Sequence, residues 1–406
     1  MSDRLPLNGI RVADFSWVGA GPFLTKPLAD HGADVVKIES RTRVDPIRSM
    51  APFRDGVKDI ERSGYFANRN SSKRSICLDL KHPRGRELAL RLIAVSDVVV
   101  NNFSPGTMDR LGLGYDAARG VRPDVVYLEM PMLGTEGPHR ECRGYGLTIA
   151  AAGGMLGLTG YPDVPPVGTG TNYPDHVPNP LHGVVAVLAA LRKRRRTGQG
   201  EYIELAQLES TINAIGPAVV AAAAGQDVCR TGNSDDVAAP HGVYPCAGDD
   251  RWCAVAVFTD EHWAATCSVL ADGSWTDTAE LATADGRRRS RESLDQLMAR
   301  ATRSWDAGRL AEELTRRGVP ASAVMTADTL LHHDPQLRAR RHWVTLDHPV
   351  MGPSVYDAIP YRLSETPGRL RSPAPVLGAD TRAVCTELLG VAENTYESLV
   401  LEGAVG

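Results

Sequence analysis

From Arg11 to Met130 the chain alternates short apolar runs with helical stretches, and this alternation constrains the fold more than any other feature. Arg11–Phe15 is an apolar run that ends in a Gly-rich turn, Gly19-Ala-Gly-Pro22. Ala33–Glu39 (ADVVKIE) and Ser75–Leu80 are two more, and Asp97–Val100 and Val125–Met130 read as buried strands. Pro22 suits the first position of a helix running to about Asp30. Pro83–Val95 carries Leu88, Leu90, Leu92 and Ile93 on a helical face. Strands that alternate with helices predict an α/β fold: a parallel sheet with helices on both faces.

Downstream the texture changes. Leu181–Leu191 and Ile203–Ala224 are Ala-rich helix candidates. Residues 225–327 combine the strand-like Trp252–Phe258, the helix-like His262–Leu270 and a charged patch from Asp285 to Arg300, which predicts a smaller α+β domain. After His332 the chain is rich in proline (Pro335, Pro349, Pro353, Pro360, Pro367, Pro373, Pro375) and reads as a surface strap, closed by helices over Thr381–Leu389 and Glu393–Leu401. A chain of 406 residues accommodates two to three domains.

Composition removes several function classes. Lys and Arg (45) nearly balance Asp and Glu (49), so no basic field favours a nucleic-acid partner. The seven cysteines (Cys77, Cys142, Cys229, Cys246, Cys253, Cys267, Cys385) are odd in number, scattered and free of C-x-x-C, which argues against a disulfide framework or a zinc site and for a reducing compartment. The uncharged stretches Gly144–Pro162, His176–Leu191 and Ser210–Gln226 are Gly-rich, short or broken by Pro or His, so none reads as a membrane span. Met1–Leu7 lacks the apolar core of a signal peptide. The expectation is a cytoplasmic protein with no membrane partner.

Several candidate sites have plain structural explanations. Gly19-Ala-Gly-Pro22 resembles a phosphate turn, but Leu24 stands where G-x-G-x-x-G needs its third glycine. The turn still offers backbone N–H groups and a helix N-terminus to another anion. Arg192-Lys-Arg-Arg-Arg196 follows an apolar helix, where cations complement the helix dipole. His332-His333-Asp334 reads as solvated surface rather than a metal site. The most suggestive stretch is Tyr173-Pro-Asp-His-Val-Pro-Asn-Pro180. Asn179 and Pro180 suit N-cap and first helical position, which leaves Asp175 in a rigid loop ahead of the helix. A carboxylate held there can act as nucleophile or base, although an aspartate before a helix is more often a cap.

In order and spacing these strings resemble the family III CoA-transferases, the CaiB/BaiF family, whose members act on formyl-CoA and oxalate, carnitine, bile acids or benzylsuccinate. The resemblance is carried by Leu7-Asn-Gly-Ile-Arg-Val-Ala-Asp14, Ala20-Gly-Pro22, Gly32-Ala-Asp-Val-Val-Lys-Ile-Glu39, Lys73-Arg-Ser75, Leu78-Asp-Leu-Lys81, Asn102-Phe-Ser-Pro-Gly106, Asp109-Arg-Leu-Gly112, Gly137-Pro138, the Asp175-to-Leu191 stretch, Thr197-Gly-Gln-Gly200 and Leu377-Gly378. It implies a Rossmann-like large CoA-binding domain from residues 1–224 and 328–406, a small α+β domain over 225–327, and a homodimer of interlocked rings. It also implies no permanently bound cofactor and no metal, with coenzyme A entering as acyl-CoA substrate alongside a carboxylic acid.

The resemblance makes Asp175 the catalytic residue. It places Gly19 and Ala20 at the thioester, and Leu78, Asp79, Leu80, Lys81, Asn102, Phe103, Ser104, Arg110, Arg143, Gly144, Tyr145 and Gly146 against CoA. Arg143 stands where the formyl-CoA enzyme has lysine. Ser40 replaces an arginine of that enzyme, with Arg41 adjacent; Gly19 replaces its glutamine; and its polyglycine flap is missing. These departures concern formyl and oxalate specificity and leave the CoA reaction intact. Trp17, Pro178 and Pro180 hint at a bulky acyl or aryl acid.

The chemistry implied is attack of Asp175 on a thioester, giving a mixed aspartyl anhydride and then an aspartyl-CoA thioester. The same fold also supports α-methylacyl-CoA racemases, but those place a histidine where this chain has Tyr145. A CoA lyase or hydrolase, or a CoA-binding partner subunit of a heteromeric transferase, are further alternatives; the last has no need of Asp175.

Overall fold

The computed structural model describes residues 5–271, 275 and 278–406, so part of the N-terminal Met1–Leu7 segment lies outside the described residues. Contacts divide the chain into two compact units, residues 1–156, 168–226 and 336–406 in one, and residues 157–167 and 227–335 in the other.

The first unit is built on six parallel strands: β1 (Arg11–Asp14), β2 (Asp34–Glu39), β3 (Arg74–Cys77), β4 (Val98–Asn101), β5 (Val126–Glu129) and β6 (Glu201–Glu204), in the order β3-β2-β1-β4-β5-β6. Helices α1 (Ala20–Asp30), α2 (Gly64–Arg69), α3 (Pro83–Ala94), α4 (Thr107–Arg110), α5 (Tyr115–Val121), α6 (Gly146–Ala152), α7 (Met155–Leu158), α8 (Tyr173–His176) and α9 (Pro178–Thr197) connect or follow the strands. Successive residues of a strand face opposite sides, and the two cores divide accordingly. Val12, Val35, Val98, Val100 and Leu128 pack with Leu24 and Leu28 of α1 and Val187 of α9. Ala13, Val36, Ile38, Val99 and Tyr127 pack on the opposite face with Leu88 and Leu92 of α3. That second core also contains Val384, Leu389 and Leu399, so the end of the chain lies against the opening sheet. The Ser75 N–H donates to Asp380 Oδ2 at 2.8 Å, and Leu78 bridges to Val405.

The second unit has an antiparallel sheet, β7 (His241–Pro245), β8 (Trp252–Ala256) and β9 (Ala321–Ala323). Helices Asp260–Leu270, Arg291–Thr302 and Ala307–Arg316 contribute Trp263, Leu294, Met298, Leu310 and Leu314 to its core.

Several local expectations change. Helix α1 starts at Ala20 with Gly19 as its cap, so Pro22 sits in the first turn rather than at its opening. Ile203–Ala224 is not one helix. Ile203 pairs with Leu128 in edge strand β6, and two short helices follow, Gln207–Asn213 and Gly216–Ala223. Pro217 explains the break, because it lacks the N–H a continuous helix needs. Asn179 is not a cap: Val177 is, and the Asn179 side chain is buried, donating to Gln207 Oε1 at 3.1 Å and accepting from Ser210 Oγ. The proline-rich strap contains the antiparallel hairpin β10 (Trp343–His348) and β11 (Gly352–Asp357), whose Tyr356 and Met351 pack on Phe66 and Ile47. The basic run does close α9, where Arg194 pairs with Asp97 at 2.7 Å and Asp124 at 2.6 Å. No helix among the described residues is long and apolar enough to cross a membrane.

Candidate active site

In a parallel sheet ligands bind beyond the carboxyl ends of the strands, where the strand order reverses. Here that point lies between β1 and β4. Asn102, just past β4, bridges to Trp17, just past β1: the Trp17 N–H donates to Asn102 Oδ1 at 2.8 Å and Asn102 Nδ2 donates to the Trp17 carbonyl at 2.7 Å. Val18 follows with a positive φ of 64°, and its N–H donates to Asp45 Oδ1 at 3.0 Å. The turn that delivers Gly19 is thus held by side chains from two other segments.

Beneath the turn lies a buried ionic group. Asp14 accepts from the Ser16 N–H at 3.0 Å and the Thr25 hydroxyl at 2.6 Å, and pairs with Lys73 at 3.3 Å. Lys37 pairs with Asp45 at 2.9 Å and donates to the Ser16 carbonyl at 2.7 Å. Burial pushes Asp14 up, yet Lys73, Lys37 and the two hydroxyls outweigh it and hold the carboxyl below its ordinary value.

Asp175 lies in the single helical turn α8, not in a loop, and is only 4% exposed. Its Oδ2 accepts the Gly146 N–H at 3.1 Å. A Cβ added to Gly19 would stand 2.9 Å from the Asp175 Cβ, and one on Gly146 would stand 2.6 Å from the Asn172 Cβ. Glycine is therefore required at both positions by the close approach of backbone to the α8 turn. Burial pushes the Asp175 carboxyl up to about 6, and the Gly146 N–H offsets only part of that. No side-chain cation contributes, so the carboxylate is weakly stabilised in its charged form.

The structure brings Gly19, Gly146 and Asp175 together and sets Asn102 against the turn, since a Cβ on Gly21 would stand 3.3 Å from Asn102 Cγ. Ala20 opens α1, so the Ala20 and Gly21 N–H groups have no intrahelical acceptor. Phe103 is half-buried and meets Trp17 edge-on at 5.3 Å. The other residues singled out from sequence follow the strand ends: Arg41 after β2, Asp79, Leu80 and Lys81 after β3, Ser104 and Arg110 after β4, and Arg143, Gly144 and Tyr145 after β5. Arg41, Lys81, Arg110, Arg143 and Tyr145 are exposed, and Arg110 donates to Thr107 Oγ1 at 2.9 Å. Leu78 packs inside the core, so only its backbone can face a ligand.

Sequence reasoning missed a cluster of side chains at His176, the residue after Asp175: Phe23, Tyr65, Arg69 and His176 itself. The Tyr65 hydroxyl lies 2.9 Å from His176 Nε2, and Thr171 Oγ1 lies 3.0 Å from His176 Nδ1. Burial and the charge of Arg69 push His176 down to about 4, so the ring is neutral at ordinary pH. Phe23 faces His176 edge-on, with ring centres 6.3 Å apart, and Arg69 lies 4.2 Å above Phe23. One signal was present in the sequence: after the cap Ser63, Tyr65 and Arg69 share a helix face at i, i+4. Among the described residues no three His, Cys, Asp or Glu gather to hold a metal ion.

The profile described as CoA-transferase family III matches residues 7–381. The succinyl-CoA–D-citramalate CoA-transferase of Chloroflexus aurantiacus is 30% identical over 97% of this chain and 96% of its own length. The succinate–glutarate CoA-transferase of Agrobacterium fabrum is 31% identical over 94% and 96%. The crystal structure of a CAIB/BAIF family protein from Brucella suis superposes with a TM-score of 0.87 at 30% identity, over 95% of this chain and 100% of that one. Matched end to end in sequence and in fold, this chain belongs to CoA-transferase family III.

Proposed function

We infer that the chain transfers CoA from an acyl-CoA thioester to a carboxylic acid, with Asp175 as the covalent nucleophile. The observation that carries this reading is a buried carboxylate with no cationic partner, held by one backbone N–H against a glycine turn. A carboxylate so weakly solvated is a better nucleophile than one in water, and needs no base to activate it.

An Asp175 oxygen attacks the thioester carbonyl. The C–S bond breaks and leaves CoA thiolate and a mixed anhydride between Asp175 and the acyl group. The thiolate then attacks the aspartyl carbonyl, releasing the donor acid as its carboxylate and leaving an aspartyl-CoA thioester. The acceptor carboxylate attacks that thioester and the steps run in reverse, with no net proton taken up. Each tetrahedral step develops an oxyanion, for which the free Ala20 and Gly21 N–H groups at the start of α1 are suitable donors.

CoA is a polyanion, and the exposed Arg41, Lys81, Arg110 and Arg143 are the cations assigned to its phosphates. Gly19, Ala20, Asn102 and Gly146 flank the thioester end in this assignment. The unit bearing the parallel sheet is then the CoA-binding domain, the active form is a homodimer of interlocked rings, and the compartment is the cytoplasm. Racemisation requires a histidine free to exchange an α-proton; His176 has a polar partner at each ring nitrogen, which favours transfer.

Incubation with an acyl-CoA should add the mass of CoA less water to the peptide carrying Asp175. Absence of this adduct, together with deuterium wash-in at the substrate α-carbon, overturns the assignment in favour of racemisation.

A further inference from the structure

The nucleophile assigned above sits on very little helix. α8 has four residues, and its cap Asn172 makes no side-chain hydrogen bond to it. Its backbone donates the Asp175 N–H to the Asn172 carbonyl at 3.0 Å and the Val177 N–H to the Tyr173 carbonyl at 2.9 Å. A single helical turn does not hold its own shape, because nucleation costs more than so few bonds contribute. The Asp175 side chain adds one bond, from the Gly146 N–H. His176 is tied down more firmly. Its Nδ1 lies 3.0 Å from Thr171 Oγ1, five positions back, so this contact closes across the turn that carries Asp175. Its Nε2 lies 2.9 Å from the Tyr65 hydroxyl of α2. The Tyr65 and Phe23 rings both meet the imidazole edge-on, with centres 5.9 and 6.3 Å away.

Phe23 links this cluster to the other half of the site. It follows Gly19 by one turn of α1, and its N–H donates to the Gly19 carbonyl at 3.0 Å. Two consecutive residues of α8 thus meet α1 at two points one helical turn apart. Asp175 meets Gly19, where an added Cβ would stand 2.9 Å from the Asp175 Cβ, and His176 meets Phe23. A two-point contact fixes the rotation of α8 as well as its distance. The same end of α1 presents the Ala20 and Gly21 N–H groups. Both ring nitrogens of His176 are engaged, and burial keeps the ring neutral. Its contacts therefore serve placement rather than proton transfer.

We propose that His176, held between Thr171 and Tyr65, is a positioning residue that sets the Asp175 carboxylate against the N–H groups opening α1. The proposal rests on the assignment of Asp175 as nucleophile. Attack needs an Asp175 oxygen on the thioester carbon while those N–H groups meet the thioester oxygen. A misplacement of about 1 Å between the two is enough to slow the step by about 100-fold. Loss of a bond to His176 leaves acyl-CoA binding intact and loosens only the aim of the carboxylate.

The test measures how fast saturating acyl-CoA builds the covalent CoA adduct on Asp175 in a single turnover. It compares the wild type with Tyr65→Phe, His176→Leu, His176→Asn and His176→Gln. Asparagine places its amide where Nδ1 stands and keeps Thr171; glutamine reaches the place of Nε2 and keeps Tyr65. His176→Leu should be slower by about 100-fold and Tyr65→Phe by about 10-fold, with the half-saturating acyl-CoA concentration changed less than about threefold. His176→Asn and His176→Gln should each recover about tenfold over His176→Leu. The decisive readout is the pairing of changes. Tyr65→Phe should slow His176→Gln by about tenfold more and leave His176→Asn, which has already lost that bond, unchanged. A residue that only supports the fold would show losses that follow melting temperature whichever bond is kept, and that result overturns the proposal. So does adduct formation at the wild-type rate in His176→Leu, or a loss confined to the half-saturating concentration. If His176→Leu does not fold, Tyr65→Phe in the wild-type and His176→Asn backgrounds decides. A wild-type adduct with undisturbed rates in the variants removes only the role of His176. No adduct in the wild type removes the nucleophile, and the positioning role with it.

Discussion

Asp14 and Asp175 are both withdrawn from water, at 0% and 4% exposure in the same compact unit, yet their surroundings move their protons in opposite directions. Asp14 has Lys73 and Lys37 beside it and two hydroxyls on it, and is held as an anion. Asp175 has one backbone N–H and is pushed up to about 6. Burial alone therefore says nothing about reactivity. A buried carboxylate surrounded by donors is part of the framework, and one left nearly bare keeps its lone pairs available to an electrophile.

The largest effects come from replacing each acid by its amide. Asp175→Asn should lower transfer by at least about a thousandfold. The same change should stabilise the fold by on the order of 1–3 kcal/mol at neutral pH, because it removes a charge that folding disfavours. The sign follows from a folded-state proton affinity above the ordinary 3.8: the penalty is complete above about 6 and absent below 3.8, so the gain should disappear in acid. Asp14→Asn should instead cost on the order of 3–5 kcal/mol, since it leaves Lys73 buried without its carboxylate partner, while Lys37 keeps Asp45. Thermal unfolding of the two variants across pH measures both effects. Equal losses of stability would end the distinction between the two acids.

A smaller effect sharpens the picture at Asp175. Gly19→Ala brings a methyl group to 2.9 Å from the Asp175 Cβ and must displace the α8 turn. It should reduce kcat by about 10- to 100-fold, with a loss of stability of only about 1–2 kcal/mol. A rate loss no larger than the stability change implies would show that the position of Asp175 is not critical. The smallest effect is in the wild type itself: kcat/KM should rise with pH to a plateau, with a midpoint near 6, as Asp175 ionises. His176, down at about 4, should add nothing in that range. A midpoint near 4 would mean that Asp175 is no more perturbed than a surface carboxylate.

The strands from β1 to β5 were legible because each is an apolar run bounded by turn residues, and the observed limits lie within a residue or two of the runs at most ends. The Ala-rich region was not, since Ile203 and the alanines beyond it satisfy a helical pattern equally well, and only pairing with Leu128 makes Glu201–Glu204 a strand. The hairpin Trp343–Asp357 was hidden because prolines usually mark irregular chain, although Pro353 is accommodated within this two-stranded sheet. At the site, the local string singled out Asp175 as a candidate, and the family resemblance gave it a role and named Gly146. The setting of Asp175 could not be read that way. Tyr65 reaches His176 across 111 positions, and burial is what changes the chemistry of both.

The paired hydrogen bonds between Asn102 and Trp17 tie the segment after β4 to the turn after β1. Because the chain's own side chains hold this turn, the entropy of ordering it is lost during folding rather than at each encounter with a substrate. The pair also forms a mechanical splice between Asn102–Ser104 and the turn bearing Gly19. A strain applied along one is transmitted to the other, and the grip on the carrier and the aim of the reacting end are set by a single preorganised joint.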